Sequence, residues 1–242
     1  MASKKVDKIS STKGKAFWGP PGWFVLHVLA AYLDLDPKNP EDYKLLLHLY
    51  TKLLPCEECR NNLLIKLKKL PPNKYLENKQ AFLYSYTVHD MANQQISEAK
   101  PNAPKESPNY DTIRKYYFDG LKEGMNQHYQ NGEEFWEEDV WFVVHMFATT
   151  LKSENATYYK QFLFCLTRLL PSRYMRKALK DTLESFPPDA YLSNNHDAFF
   201  YSYAIRDIVN SKSQIPKKSQ NFDDVKSFYF TGLFQECKEC TV

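Results

Sequence analysis

Phe17-Trp18-Gly19-Pro20-Pro21-Gly22-Trp23-Phe24-Val25-Leu26-His27 returns 118 residues later as Phe135-Trp136-Glu137-Glu138-Asp139-Val140-Trp141-Phe142-Val143-Val144-His145. The echo continues in order. Thr51, Leu53-Leu54-Pro55 and Arg60 come back as Thr167, Leu169-Leu170-Pro171 and Arg176, a shift of 116. Tyr84-Ser85-Tyr86 returns as Tyr201-Ser202-Tyr203, and Asp90 and Asn93 return as Asp207 and Asn210. Tyr117-Phe118 and Gly120-Leu121 match Tyr229-Phe230 and Gly232-Leu233. The chain is a duplication of two homologous units, 17–130 and 131–235, meeting near Asn131-Gly132. A basic stretch, 1–16, precedes them and a tail, 236–242, follows.

Each unit reads as helices. Trp23, Leu26, His27 and Ala30 share one helical face, as do Phe82, Tyr86, His89 and Asn93. Pro37 and Pro40, then Pro71-Pro72, interrupt the pattern between helices. Pro101, Pro104 and Pro108 make 97–110 an extended loop ahead of a last helix near 111–124. With only 7 glycines in 242 residues and abundant Leu, Lys and Glu, the composition favours helices over a turn-rich β fold. The expected fold is all-α, a duplicated four- or five-helix bundle.

The formal charge of +3 is too small to argue for a nucleic-acid partner. Lys4, Lys5, Lys8, Lys13 and Lys15 read as a solvated N-terminal tail. The first twenty residues lack an apolar run, and no stretch is long enough to span a membrane. The expectation is a cytoplasmic protein without a membrane span.

Chemistry concentrates in Pro55-Cys56-Glu57-Glu58-Cys59-Arg60. Two thiols at this spacing can close a small disulfide ring, and a thiol near a helix N-terminus is a stronger acid than a free one. Five cysteines, two close pairs and an odd one, suggest redox or metal chemistry rather than a stapled extracellular scaffold. The second unit keeps the framework and loses these groups. Ser172 and Met175 stand opposite Cys56 and Cys59, and Arg206 stands opposite His89. Trp141 and His145 persist there, so Trp23 and His27 serve the fold as much as any ligand. His89, lost where the cysteines are lost, is the better ligand candidate, with Asn93 one turn on.

Trp23-x-x-x-His27, Cys56-Glu57-Glu58-Cys59-Arg60 and His89-x-x-x-Asn93, in this order and spacing, resemble the Erv/ALR flavin-dependent sulfhydryl oxidases. The lead-in Trp18-Gly19-Pro20-Pro21 and the duplicated layout look like versions encoded by large DNA viruses. The resemblance covers roughly 17–121 and, more faintly, 135–233. It implies FAD held in a helical bundle beside the Cys-x-x-Cys, with electrons passing from protein thiols to molecular oxygen and giving hydrogen peroxide. Cys56 would exchange with the incoming thiol and Cys59 would face the flavin. Trp18, Trp23 and His27 would lie against the cofactor, His89 and Asn93 would hold its adenine end, and Lys100 would correspond to a family lysine near it. Tyr117 or Phe118 stands where a tryptophan is usual, and Asp90 where the family has Asn. The additional structural cysteine pairs of many relatives are absent, so a homodimer would rest on packing. The setting implied is a host cytoplasm or viral factory, or the virion itself.

Cys237-Lys238-Glu239-Cys240 is the second redox candidate, a shuttle disulfide of the kind that family members carry on a flexible arm. Cys165, among Phe162, Phe164 and Leu166, reads as a buried, inert thiol. Two other readings stay open. Cys56, Cys59, Cys237 and Cys240 satisfy the ligand count of a structural zinc site, and two helical units could form an interaction protein without catalysis. A thioredoxin-like fold fits poorly, because no βαβ pattern surrounds the motif.

Overall fold

A computed structural model describes residues 14–102, 105–126, 132–212 and 220–234. Among them every regular element is helical. The first repeat holds α1 (Lys15–Leu35), α2 (Pro40–Leu53), α3 (Glu57–Lys69), α4 (Asn73–Glu77), α5 (Ala81–Ala99) and α6 (Tyr110–Asn126). The second holds α7 (Gly132–Thr149), α8 (Ala156–Leu169), α9 (Arg173–Ser185), α10 (Asn195–Ser211) and α11 (Phe222–Phe234), with short 3-10 turns at Ser153–Asn155 and Pro188–Tyr191.

Local signals set the ends. Pro40 opens α2, where its missing N–H costs nothing, and Glu41 and Asp42 complement the dipole of the first turn. Cys56 is the N-cap of α3 and accepts the Cys59 N–H at 3.2 Å. Ser172 is the N-cap of α9 and accepts the Met175 N–H at 3.2 Å, so the second repeat keeps the cap while changing its atom from sulfur to oxygen. Two boundaries differ from the sequence reading. Lys15 and Ala16, assigned to the tail, belong to α1, which runs straight through Pro20 and Pro21. The loop after α5 begins only past Ala99.

The two repeats pack like with like. α1 lies on its counterpart α7 and α2 on its counterpart α8, the self-complementary pairing of a two-fold interface built inside one chain. Ring contacts repeat across the pseudo-axis. Phe17 meets Phe142 with centroids 5.1 Å apart, and Phe24 meets Phe135 at 5.4 Å. The last helix of each repeat crosses to the first helix of the other, α6 onto α7 and α11 onto α1. Both crossings need a glycine. A Cβ at Gly120 would lie 2.6 Å from the Phe135 ring, and one at Gly232 would lie 2.6 Å from the Phe17 ring. At the α2–α8 seam Arg168 pairs with Asp42 at 2.7 Å. Cys165 is buried there, its Sγ donating to Asp42 O at 3.1 Å and its thiol pushed up to about 12 by burial.

Candidate active site

α5 packs against both α1 and α3 and so gathers the sequence motifs into one region. The α2–α3 turn that carries the cysteines is pinned by Arg60, whose Nη1 donates to Leu54 O at 2.6 Å. Cys56 is buried, at 3 % exposure, while Cys59 is half-buried. A hydrogen bond from Cys59 lowers the Cys56 thiol from 9.0 to about 6; burial opposes this, and the Cys59 amide and the Lys15 charge add to it. The same hydrogen bond, with burial, pushes the Cys59 thiol up. The pair is therefore polarised into a Cys56 thiolate and a Cys59 thiol. Lys15, at the start of α1, holds Glu58 at 3.1 Å, and its charge reaches both sulfurs. Behind Cys59, Lys66 donates to Gln95 and ties α3 to α5.

The second half of the site is a wall of rings. Trp23 stacks on His89 with centroids 4.2 Å apart and planes 6° from parallel. His27 lies 5.1 Å from His89 and 5.4 Å from the buried Tyr117. His27 Nε2 meets His89 Nδ1 at 2.9 Å, and His27 Nδ1 meets Ser85 Oγ at 2.8 Å. Burial first, then the neighbouring His89, pushes His27 down to about 3. Burial first, then Lys105, pushes His89 down to about 4 against the pull of Asp90. Both imidazoles are neutral near pH 7. Asn93 is buried; its Nδ2 donates to Ser107 Oγ at 2.9 Å, and its Oδ1 is a buried acceptor without a partner.

The second repeat shows what this arrangement leaves open. Gly22 is buried, yet a Cβ there would meet nothing within 4 Å, and the same is true at half-buried Gly19. The equivalent positions, Glu137 and Val140, carry buried side chains. Trp141 is 2 % exposed, whereas Trp23 is half-buried. Arg206, opposite His89, reaches both carboxylate oxygens of Glu138 at 2.8 and 2.7 Å and leaves His145 Nε2 buried without a partner. The first repeat thus offers an open face on α1, a stacked Trp–His wall and a free buried acceptor. These residues fit a large, flat, aromatic cofactor with polar substituents. The second repeat has filled the same place with side chains.

The sequence candidates separate accordingly. Cys56, Cys59, Trp23, His27, His89, Asn93 and Tyr117 all lie on helices that pack around this region, and Trp18 is buried one turn before Gly22. Lys100 is exposed at the C-cap of α5, and the lysine whose charge reaches His89 is Lys105. Cys237 and Cys240 lie outside the described residues. Sequence reading missed Lys15, Lys105, the polar partners Ser85 and Ser107, and Tyr43, whose hydroxyl donates to Leu26 O at 3.1 Å. Of these Ser85 and Tyr43 had left a signal, returning as Ser202 and Tyr159. Among the described residues no three His, Cys, Asp or Glu side chains gather as a metal site, and no helix is long and apolar enough to cross a membrane.

Compared with known proteins, residues 21–113 match the model of the Erv1 / Alr family. The match includes Trp23, His27, both motif cysteines, His89 and Asn93, and stops short of Tyr117 and the second repeat. No solved structure matches the chain.

Proposed function

We propose that the first repeat is a FAD-linked sulfhydryl oxidase that forms disulfides in protein thiols. The observation that carries this reading is the coincidence, in one repeat only, of a polarised dithiol with an open, ring-walled site, within a segment that matches the Erv1 / Alr family. FAD, when bound, accepts two electrons from the Cys56–Cys59 dithiol and yields them to oxygen, giving hydrogen peroxide. Trp23, His27 and Tyr117 supply ring surface for it, His89 and Asn93 supply polar contacts, and the α1 face at Gly19 and Gly22 supplies room.

The chain's own part is exchange and charge control. An incoming thiolate attacks Cys56 Sγ of the Cys56–Cys59 disulfide, and Cys59 leaves as thiolate. A second substrate thiol then displaces Cys56, releasing the oxidised substrate and leaving the motif reduced. The Lys15 charge reaches whichever sulfur is negative, and the Cys59 amide stabilises Cys56. Because Cys56 is buried, exchange there needs the α2–α3 turn to yield. This order of sulfurs is testable: Cys59→Ser should trap a mixed disulfide between Cys56 and substrate, whereas trapping by Cys56→Ser instead assigns the outer role to Cys59.

A relay by Cys237 and Cys240 is supported by where α11 lies. Gly14, at φ 61, donates its N–H to Gly232 O at 3.0 Å, next to the Lys15 that holds Glu58. Cys237 is five residues beyond Gly232 (237 − 232), a span of at most about 18 Å. Cys240→Ser should slow oxidation of protein thiols and spare small dithiols. The second repeat takes the place of a partner subunit, so a homodimer would use faces other than α1–α7 and α2–α8. The likeness to virus-encoded oxidases would put this work in the cytoplasm of an infected cell. An absorbance spectrum coupled to dithiol-driven oxygen uptake decides the central point. A flavin band with uptake that Cys56→Ser abolishes supports the oxidase; a colourless protein, inactive after added FAD, removes it.

A further inference from the structure

The ring wall of the first repeat is backed from the second. Phe135, in the first turn of α7, has its ring 5.4 Å from Phe24, 5.3 Å from Tyr116 and 6.2 Å from Tyr117. All three belong to the first repeat. Phe24 and Tyr117 meet in turn at 5.2 Å, and Tyr117 meets His27 at 5.4 Å. His27 leads to His89 at 5.1 Å, and His89 to Trp23 at 4.2 Å. A run of rings thus joins the second repeat to the open face of the first.

The helix that carries Tyr117 is not held by its own repeat alone. α6 packs on α7 as well as on α1, and the Phe135 ring fills the space that a Cβ at Gly120 would need, one turn beyond Tyr117. Tyr117 is buried, and it crosses Phe135 at 74° and His27 at 58°, the steep angles that ring pairs favour. Turning or shifting this ring therefore disturbs both contacts. Phe135 is the wedge that holds it from behind.

The mirror arrangement supplies a control. Phe17 lies 5.1 Å from Phe142, 5.0 Å from Phe228 and 6.3 Å from Tyr229, all in the second repeat, and fills the space beside Gly232. Tyr229 meets His145 at 5.2 Å. There the run ends at Trp141, which is 6.3 Å from His145 and buried where side chains have filled the place. The two wedges are equal parts of the fold. Only the one from the second repeat backs an open site.

We propose that Phe135 is a positioning residue for the cofactor site of the first repeat, so that the second repeat completes a site it does not itself keep. By fixing Tyr117, and His27 through it, Phe135 sets the ring surface that a flat ligand meets. Groups that touch a ligand hold their geometry only when packing behind them locks it. The inference rests on the reading that the cofactor lies against Tyr117 and His27, and it adds that these rings are held from the other repeat.

Two measurements on the full chain test it. Without added cofactor, histidine ring-proton signals report the aromatic neighbours of each imidazole. Phe135→Leu should shift the His27 signals and leave His145 in place, and Phe17→Leu should do the reverse. Gly120→Ala displaces the same wedge without removing it and should also shift His27, whereas Gly232→Ala should not; this pair decides the matter if Phe135→Leu does not fold. With FAD added, Phe135→Leu should weaken binding roughly tenfold, as expected for a lost ring pair. Phe17→Leu should lower the thermal midpoint comparably and leave FAD affinity intact. His27 signals and FAD affinity unmoved in folded Phe135→Leu overturn the proposal, as does an equal loss of FAD affinity in Phe17→Leu. If the unaltered chain binds no FAD, the oxidase reading falls, and the His27 signals still decide whether the second repeat holds the wall.

Discussion

The two repeats carry the same scaffold and differ in what it is used for. Both keep a tyrosine bonded to the backbone of the repeat's first helix, a Ser–His bond beneath it, an arginine pinning the turn before the third, and a capping atom at its N-terminus. Only the first keeps sulfur at the cap, glycine on the α1 face and a second histidine. The comparison teaches which residues hold the bundle and which equip it. A feature present in both repeats is paid for by the fold; a feature in one alone points to chemistry.

The sharpest way to break this division is to move the motif. Cys59→Ser should lower dithiol-driven oxygen uptake on the order of a thousandfold or more, since the two sulfurs act as a unit. Ser172→Cys with Met175→Cys should give a second disulfide, detectable by mass, and no added uptake. Uptake that doubles would show that the cysteines alone make the site.

Next is the acidity of Cys56. Thiolate absorbance of the reduced protein should rise with one thiol titrating near 6, whereas Cys165 should titrate near 12. The folded value is depressed from 9.0, so this group's contribution to stability is complete above about pH 9 and is lost as pH falls toward 6. Denaturant titrations of the reduced chain should show that decline, and Cys56→Ser should flatten it.

The glycine crossings test the pseudo-symmetry. Gly120→Val and Gly232→Val should each cost about 1–3 kcal/mol through overpacking against Phe135 and Phe17. Thermal midpoints that fall by similar amounts would support equal interfaces, and a loss confined to one variant would break the equivalence. The smallest effect belongs to the caps. Ser172→Ala should cost about 1 kcal/mol and Ser172→Cys less, because sulfur fills this place in the other repeat.

Much of this was legible in the sequence. The duplication, the helices and the order of Trp23, Cys56, Cys59, His89 and Asn93 depend on spacing within a helix or on self-likeness, both of which a linear string records. Contacts between elements were not legible. Lys15 looked like one more tail lysine, since nothing in its neighbours says that α1 begins there and leads to Glu58. Lys105 stands near His89 because of a loop path, which has no period to read. Gly120 and Gly232 were visible as a repeated pair, yet only packing shows that each serves a ring of the other repeat. Pro20 and Pro21 lie inside α1: local propensity argues for a break there, while burial of residues along the helix carries it through.

The bond from Gly14 to Gly232, with Phe17 seated on that glycine, joins the first described helix to the last. On a ribosome, α1 emerges early and its final neighbour emerges late. Gly232 comes 106 residues after Asn126 (232 − 126), roughly five to twenty seconds of synthesis. For that interval Phe17 has no glycine to cover, and the end of α1 that brings Lys15 to the cysteines has no clamp. The dithiol would therefore acquire its full electrostatic setting only when the chain is nearly complete, a delay that would keep the proposed thiol-oxidising site unfinished while nascent thiols, its own included, are still close by.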